Sequence, residues 1–295
     1  MKFLKSDKFI DSIFVIILIT VGLLCIYPIW YILIASVSEP NAVLSGEVLF
    51  WPVKFTMDGY KELMEYPQLF VGFRNTIIYM FVGTFISLVV TLPTAYALSR
   101  KELKGRRVLN FIFIITMYFN GGLIPTYLLH STIGWINTVW CLLIPVALNV
   151  YNMILARNAF ESMPEALHES AQLDGASEFR YFIQFVIPLS KATIAVIFLF
   201  CALQWWNEYM RFVIYMDKPN LQSVQVIVRQ ITTQIESTFV QNEVGGSTAA
   251  IMEGKRLLEL LKYCVVVVVA LPFAIIYPFI QKYFNQGVMI GSVKE

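Results

Sequence analysis

Charge is scarce in this sequence. Of 295 residues only 14% are charged, against about 25% in an ordinary soluble domain, while 58% are hydrophobic. Mean hydropathy is +0.67. A soluble core of this size would leave much of that apolar surface in water. A disordered chain, a nucleic-acid binder and an ordinary cytosolic enzyme are excluded. Histidine is nearly absent. His130 and His168 are the only two, and they fall in different loops, so no zinc site is expected. The four cysteines, Cys25, Cys141, Cys201 and Cys264, form no CxxC and all lie in apolar runs. They read as small packing residues rather than a disulfide framework.

Nucleotide chemistry is missing too. The nearest approach to a phosphate-binding loop is Gly245-Gly246-Ser247 followed by Gly254-Lys255-Arg256. Ala249 stands where the loop needs Gly, and Arg256 where it needs Ser or Thr. No Gly-x-Ser-x-Gly and no His-Glu-x-x-His occurs. The apolar runs carry almost no ionisable groups, so a proton relay or voltage sensor has little to work with. Uphill transport would draw its energy from another chain. This chain is expected to bind no cofactor.

Long apolar runs are what the sequence has instead. A bilayer core needs about 20 apolar residues per helix. Uncharged runs of that kind occur at 13–37, 77–98, 108–129, 131–156, 181–207 (interrupted by Lys191) and 263–281. They predict an all-α polytopic membrane protein with six transmembrane helices. Placing the N-terminus inside puts 13 of the 22 basic residues on that side. The short loop 99–107 alone holds five, against one acid, and short loops weigh most in orientation. Both termini are therefore expected in the cytoplasm. The first run is too long for the apolar region of a cleaved signal peptide and is expected to be retained. The chain reads as one transmembrane domain, 1–295, with a cytoplasmic loop at 157–188 and extracytoplasmic loops at 38–74 and 212–260. The loops 38–74 and 212–260 suit docking of an extracytoplasmic protein, or packing on each other.

The segment 157–188 is polar between apolar flanks. Ser162-Met163-Pro164-Glu165 fits a capping box with Ser162 as N-cap. A helix over 163–173 follows, with Asp174-Gly175 as its stop and Ser177 as the next cap. Ala166, Ser170 and Asp174 share a face, beside Glu169 and Leu173. Small residues there admit a close partner surface, and Glu169 offers a charge to a partner arginine.

Glu169-Ser170-Ala171-x-x-Asp174-Gly175-Ala176, followed by Ile187-Pro188-Leu189, resembles the EAA signature of ABC importer permeases. Ser170 stands in place of the commoner Ala, and Ser190 in place of a frequent Pro. Ala95-Tyr96-Ala97-Leu98-Ser99-Arg100, Gly105-Arg106-Arg107, Trp206-Asn207-Glu208 and the ending Tyr277-Pro278-Phe279-x-Gln281-Lys282-Tyr283-Phe284-x-x-Gly287 are similar to carbohydrate-uptake permeases. Asn120-Gly121-Gly122-x-Ile124-Pro125 resembles the subgroup importing oligosaccharides or larger glycans. The resemblance implies the permease fold in a bacterial or archaeal cytoplasmic membrane. It implies an ATPase-coupling role for Glu169, Ser170, Ala171, Asp174, Gly175 and Ala176. It further implies a second homologous permease forming a heterodimer, two cytoplasmic ATPase subunits carrying ATP and Mg, and an extracytoplasmic solute-binding protein.

Polar side chains inside spans are costly unless they face a cavity or a partner. Tyr118, Asn120, Asn149, Asn152, Trp205, Trp206, Asn207 and Glu208 are the candidates for a carbohydrate path. Hydroxyls need hydrogen bonds, and sugar C–H faces stack on aromatics. Glu208 and Arg211 are spaced to pair on one helix face. Interfacial belt chemistry and helix joining would explain the same residues. An importer of another solute, a self-contained channel or secondary carrier and a membrane enzyme are the rivals. The enzyme would need clustered acids or histidines in the spans, which are absent.

Overall fold

The computed structural model describes residues 2–245, 252, 255, 256, 258 and 260–275, and among these every regular element is helical. The ending from Tyr277 onward and the Gly246-Ser247-Thr248 stretch lie outside the described residues.

Among the described residues two helices are long and apolar enough to cross a bilayer unbroken. The first, α1 (Lys2–Ser36), contains a 27-residue stretch of mean hydropathy 2.6 whose most apolar window is not buried at all. After two short helices, α2 (Pro40–Leu44) and α3 (Asp58–Met64), comes α4 (Pro67–Ser99). It begins ten residues before the expected span at 77–98. Arg74 ended the apolar run but does not end a helix, and Pro67 suits a first turn. About half of α4 faces inward. Its buried face repeats Gly72, Thr76, Gly83, Ser87, Thr91 and Ala95 at spacings of three or four or their sums. Side chains this small let neighbouring backbones and rings approach closely.

The next three expected spans are not single straight helices. The run 108–129 becomes α5 (Arg106–Tyr118) and α6 (Leu123–Thr132), bent by 108°. Phe119 is extended, and Gly122 adopts φ +85° with ψ 167°, a conformation open essentially to glycine. The run 131–156 holds only α7 (Trp140–Leu143) and α8 (Val150–Glu161). Gly134 and Asn137 take positive φ and turn the chain before α7, and Pro145 has no N–H to continue it. The run 181–207 is bent by 83° between Glu178–Leu189 and Lys191–Trp206. Within it lie α10 (Glu178–Tyr181), a π-turn at Phe182–Val186, α11 (Ile187–Leu189) and, past the bend, α12 (Lys191–Trp206). Pro188 offers no N–H to the preceding turn, which widens to π geometry. Uncharged composition fixed the extent of these runs but not their straightness.

The segment 212–260, expected as a loop, is largely helical where described: α13 (Met210–Tyr215), a 3-10 turn at Pro219–Leu221 and α14 (Val224–Gly245). The last described helix, α15, is Leu260–Ile275.

The chain forms two compact units. One comprises Met1–Pro67 with Val228–Pro272. Its small core joins Ile34 and Ala35 of α1 to Ala42, Val43 and Val48. There Gly59 lies against the backbone of Leu260, and Cys264 hydrogen-bonds the Ser36 carbonyl at 3.3 Å. The other comprises Gln68–Ile227 with Phe273–Glu295 and holds both candidate sites. Its apolar core has two parts, one around Tyr96, Met153, Tyr181 and Ile197, the other around Tyr79, Leu142, Trp205 and Phe212.

Candidate functional site

The polar elbow 157–188 is a folded unit held against the end of α4. The helix α9 (Glu165–Leu173) starts later than the capping box implied. Pro164 occupies the N-cap position without a side-chain cap. Ser162 instead ends α8, and its Oγ donates to the Ala159 carbonyl at 2.8 Å. Glu165 is instead paired with Lys101, 2.9 Å distant.

The helix stop is as the sequence predicts. Gly175 takes φ +76°, Ala176 N–H donates to the Ala171 carbonyl at 3.0 Å, and Gly175 N–H to the Gln172 carbonyl at 2.9 Å. This is the paired bonding of a Schellman ending. Ser177 then caps α10 by accepting from Arg180 N–H at 3.3 Å.

One face of α9 is committed inward. His168 and Ala171 are each only 5% exposed. His168 packs edge-on to Tyr181, with ring centres 4.8 Å apart. Arg100, one residue beyond α4, lies 2.6 Å from His168 Nδ1, and His168 Nε2 lies 2.8 Å from Glu178 Oε1. A proton on Nε2 satisfies both bonds, with Nδ1 accepting from Arg100 and Nε2–H donating to Glu178. Tyr96 of α4 donates to Glu178 Oε2, and Gln172 to Glu178 Oε1 at 3.1 Å. Burial raises the Glu178 carboxyl, but hydrogen bonds from Tyr96 and His168 outweigh it and hold the group below the usual carboxylate range. Around this network sit Tyr96, Phe160 and Phe182, with Tyr96 and Phe182 ring centres 5.0 Å apart.

The opposite face is presented outward. Ala166, Glu169, Ser170, Leu173 and Asp174 are exposed, Leu173 at 89%. Glu169 makes no ion pair among the described residues. Ala171 does not share this face, because it is docked in the chain's own core. Tyr96, Arg100, His168, Gln172 and Glu178 were not singled out as a set by the sequence. The available signal was the Gly175 turn, which folds Glu178 back beside His168. Nothing local announced that Arg100 would meet them.

The path candidates separate into groups. Trp205 and Trp206 are buried, at 3% and 4% exposure. Trp205 lies flat against Gly83, where any Cβ would collide with its indole. Trp206 packs on Phe73 and Phe273. Glu208 and Arg211 pair, but not on one helix face: Glu208 lies in the break between α12 and α13. Glu208 Oε1 accepts from Arg211 N–H at 3.0 Å, Arg211 Nε lies 2.7 Å from Glu208 Oε2, and the guanidinium also covers the Trp205 ring at 5.4 Å. Asn149 caps α8 by accepting from Asn152 N–H at 3.1 Å, and buried Asn152 reaches Cys201 Sγ at 3.4 Å. These two asparagines are thus spent on a helix start and a helix contact. Tyr118 (79% exposed), Asn120 and Asn207 are open. Asn120 Oδ1 accepts from Gly122 N–H at 3.0 Å across the α5–α6 bend.

Long apolar helices, bent helix pairs and a polar elbow fastened to the end of α4 define a helical membrane protein. Comparison with known proteins gives the family. Residues 69–240 match the binding-protein-dependent transport system inner membrane component, and the chain belongs to that family. It is 33% identical over 291 residues to the polygalacturonan/rhamnogalacturonan transport system permease protein YtcP of Bacillus subtilis (strain 168), covering 98% of this chain and 99% of that protein. It is also 33% identical to protein LplC of the same organism, over 98% and 96% of the two chains. A crystal structure of a bacterial ABC transporter involved in the import of the acidic polysaccharide alginate contains a chain matching with TM-score 0.82 and 31% identity. That match covers 95% of this chain and 98% of the other. The chain is therefore a permease component of a transport system, not an enzyme.

Proposed function

We propose that this chain is the transmembrane permease subunit of an ATP-driven importer for a carbohydrate of oligosaccharide or glycan-fragment size. In this reading residues 1–295 form one permease domain that crosses the cytoplasmic membrane six times. Both termini and the 157–188 elbow are cytoplasmic, and 38–74 and 212–260 are extracytoplasmic. A second, homologous permease completes the path. Two ATPase subunits bind ATP and Mg, and a solute-binding protein delivers the sugar.

The observation that carries this reading is the two-faced α9. Its outer face offers Glu169, Ser170 and Asp174 to a partner, while His168 and Ala171 lock its inner face to the chain's own core. Gly175 and Ala176 form the turn that joins it to α10. A push on the outer face would be carried by Glu178 and His168 to Tyr96 and Arg100 at the end of α4. The substrates named for two relatives, polygalacturonan/rhamnogalacturonan and the acidic polysaccharide alginate, support a glycan cargo. Tyr118, Asn120, Asn207 and Glu208 are the side chains we place on its path, with Trp205, Trp206, Asn149 and Asn152 as the packing behind them.

The test is a cysteine at Ser170 in the complete transporter in membranes, crosslinked during import. A crosslink to an ATPase subunit that changes with nucleotide is expected. Crosslinks only to lipid or to this chain would overturn the coupling role. Uptake of neutral and acidic oligosaccharides by the same complex then tests the cargo.

A further inference from the structure

We propose that the groove at the foot of α5 binds an anionic phospholipid, with its phosphate held by Lys101 and Arg107 and its acyl chain lying along Phe111 and Ile114. The groove measures 830 Å³ and has a basic rim, Lys101, Arg106 and Arg107, and an apolar wall, Leu103, Phe111 and Ile114. It lies wholly within one of the two compact units.

The charges do not balance within the chain. Arg106 is paired with Glu161, which also lies 3.7 Å from Arg157. Lys101 is paired with Glu165. Arg107 is exposed and has no ion-pair partner among the described residues. Of the three cations on the rim, Lys101 and Arg106 each have a carboxylate partner and Arg107 has none, while the groove's own lining holds no carboxylate, leaving a site that an anion complements. The apolar wall identifies the kind of anion. No residue of α5 is buried, and Phe111 is 64% exposed. Ile114 lies seven residues beyond Arg107, about 10 Å along the helix at 1.5 Å per residue. That is the separation between a phosphate and the upper methylenes of its own acyl chain. A free phosphate would use the rim and leave the wall bare. A lipid uses both, as basic pockets beside membrane helices do. The inference rests on the chain being a membrane protein and not on its solute or its ATPase.

The test uses the full-length chain in detergent, with lipid retention measured by native mass spectrometry. Phosphatidylglycerol and phosphatidylcholine are offered in equal amount. Preferential retention of phosphatidylglycerol is expected, falling roughly fivefold for Arg107→Gln, the effect of one basic residue at a membrane surface, and kept by Arg107→Lys. Phe111→Ser should lower lipid retention without lowering binding of inorganic phosphate. Equal retention of the two lipids would overturn the proposal. So would displacement of phosphatidylglycerol by inorganic phosphate at equal concentration, or unchanged retention in both Arg107→Gln and Phe111→Ser. Uptake assays are not needed, so a failure here leaves the transport reading standing, and the reverse.

Discussion

His168 and Glu178 face each other at 2.8 Å across the Gly175 turn. One belongs to α9, the other to α10, and through Arg100 and Tyr96 both are fastened to α4. The elbow is therefore not a loose loop between membrane runs. It is a short helical hairpin pinned by one buried side chain, His168, which bonds both Arg100 and Glu178, and such networks rigidify the elements they join.

Removing the hub should loosen the hairpin. His168→Ala leaves Arg100 and Glu178 short of a partner, and such a loss costs about 1–3 kcal/mol. Lower thermal stability of the purified chain and faster hydrogen exchange over 165–181 are expected. In the complete transporter, ATP hydrolysis should continue with reduced uptake. Unchanged exchange across the hairpin would refute the clamp.

The Glu178 carboxyl also sets a pH limit. Its folded value is held below 4.5. A depressed acid stabilises the fold above its unfolded value, and that contribution is lost as pH falls through the folded one. Docking of the hairpin should be intact at neutral pH and weaken below about 4.5. The groups facing the carboxylate are Tyr96, His168 and Gln172, with Arg100 behind His168. Proteolysis of the elbow along an acid titration reads this directly. In Glu178→Gln the acid limb should flatten; an identical limb would assign the transition to another group.

Gly175 is required by its backbone, not by its space. Its φ of +76° costs a side-chain-bearing residue about 1–2 kcal/mol, while no atom stands in the way of a Cβ. Gly175→Ala should weaken coupling, and Gly175→Asn, which tolerates that region, should restore much of it. Equal uptake by the glycine and alanine forms would separate the turn from the lever.

Gly83 is required by its space. The Trp205 indole occupies the position of a Cβ. Gly83→Ala should displace the ring and cost about 1–3 kcal/mol, as overpacking does. A shift in tryptophan fluorescence with a lowered melting temperature is expected. An unaltered spectrum at unaltered stability would mean that α4 and α12 part more easily than their packing suggests.

Gly122 holds the bend between α5 and α6. Its φ and ψ lie where other residues are essentially not found. Gly122→Ala should alter the 108° angle, measured by spin-label distances from α5 to α6. An unchanged distance distribution would show that Asn120 and Phe119 suffice to make the turn.

Much of the architecture is legible from composition alone. Charge density gives the membrane class, and Asp174-Gly175-Ala176 gives a helix ending because glycine enters the left-handed geometry of that turn without penalty. Glu208 and Arg211 pair because they are near neighbours in the chain, although Glu208 sits in the break between α12 and α13 and not on one helix with Arg211. Straightness is not legible. An uncharged run reports solubility in lipid, whereas the bends at Gly122, Pro145 and Ser190 depend on where backbone groups find partners. The capping box failed for a related reason. Ser162 fits both the end of one helix and the start of the next; in the fold it ends α8, and Glu165 pairs with Lys101, far off in sequence.

By itself, then, the sequence determined what is local or compositional: helices, their solvent, a turn and a neighbouring ion pair. Tertiary structure decided which side of α9 faces inward, that Trp205 and Trp206 are packing rather than open surface, and that Arg100, His168, Glu178 and Tyr96 act as one unit. These three follow from contacts across as many as 133 residues, the separation of Phe73 and Trp206. Periodicity cannot encode such contacts, because they arise only when separate helices are brought to the same depth.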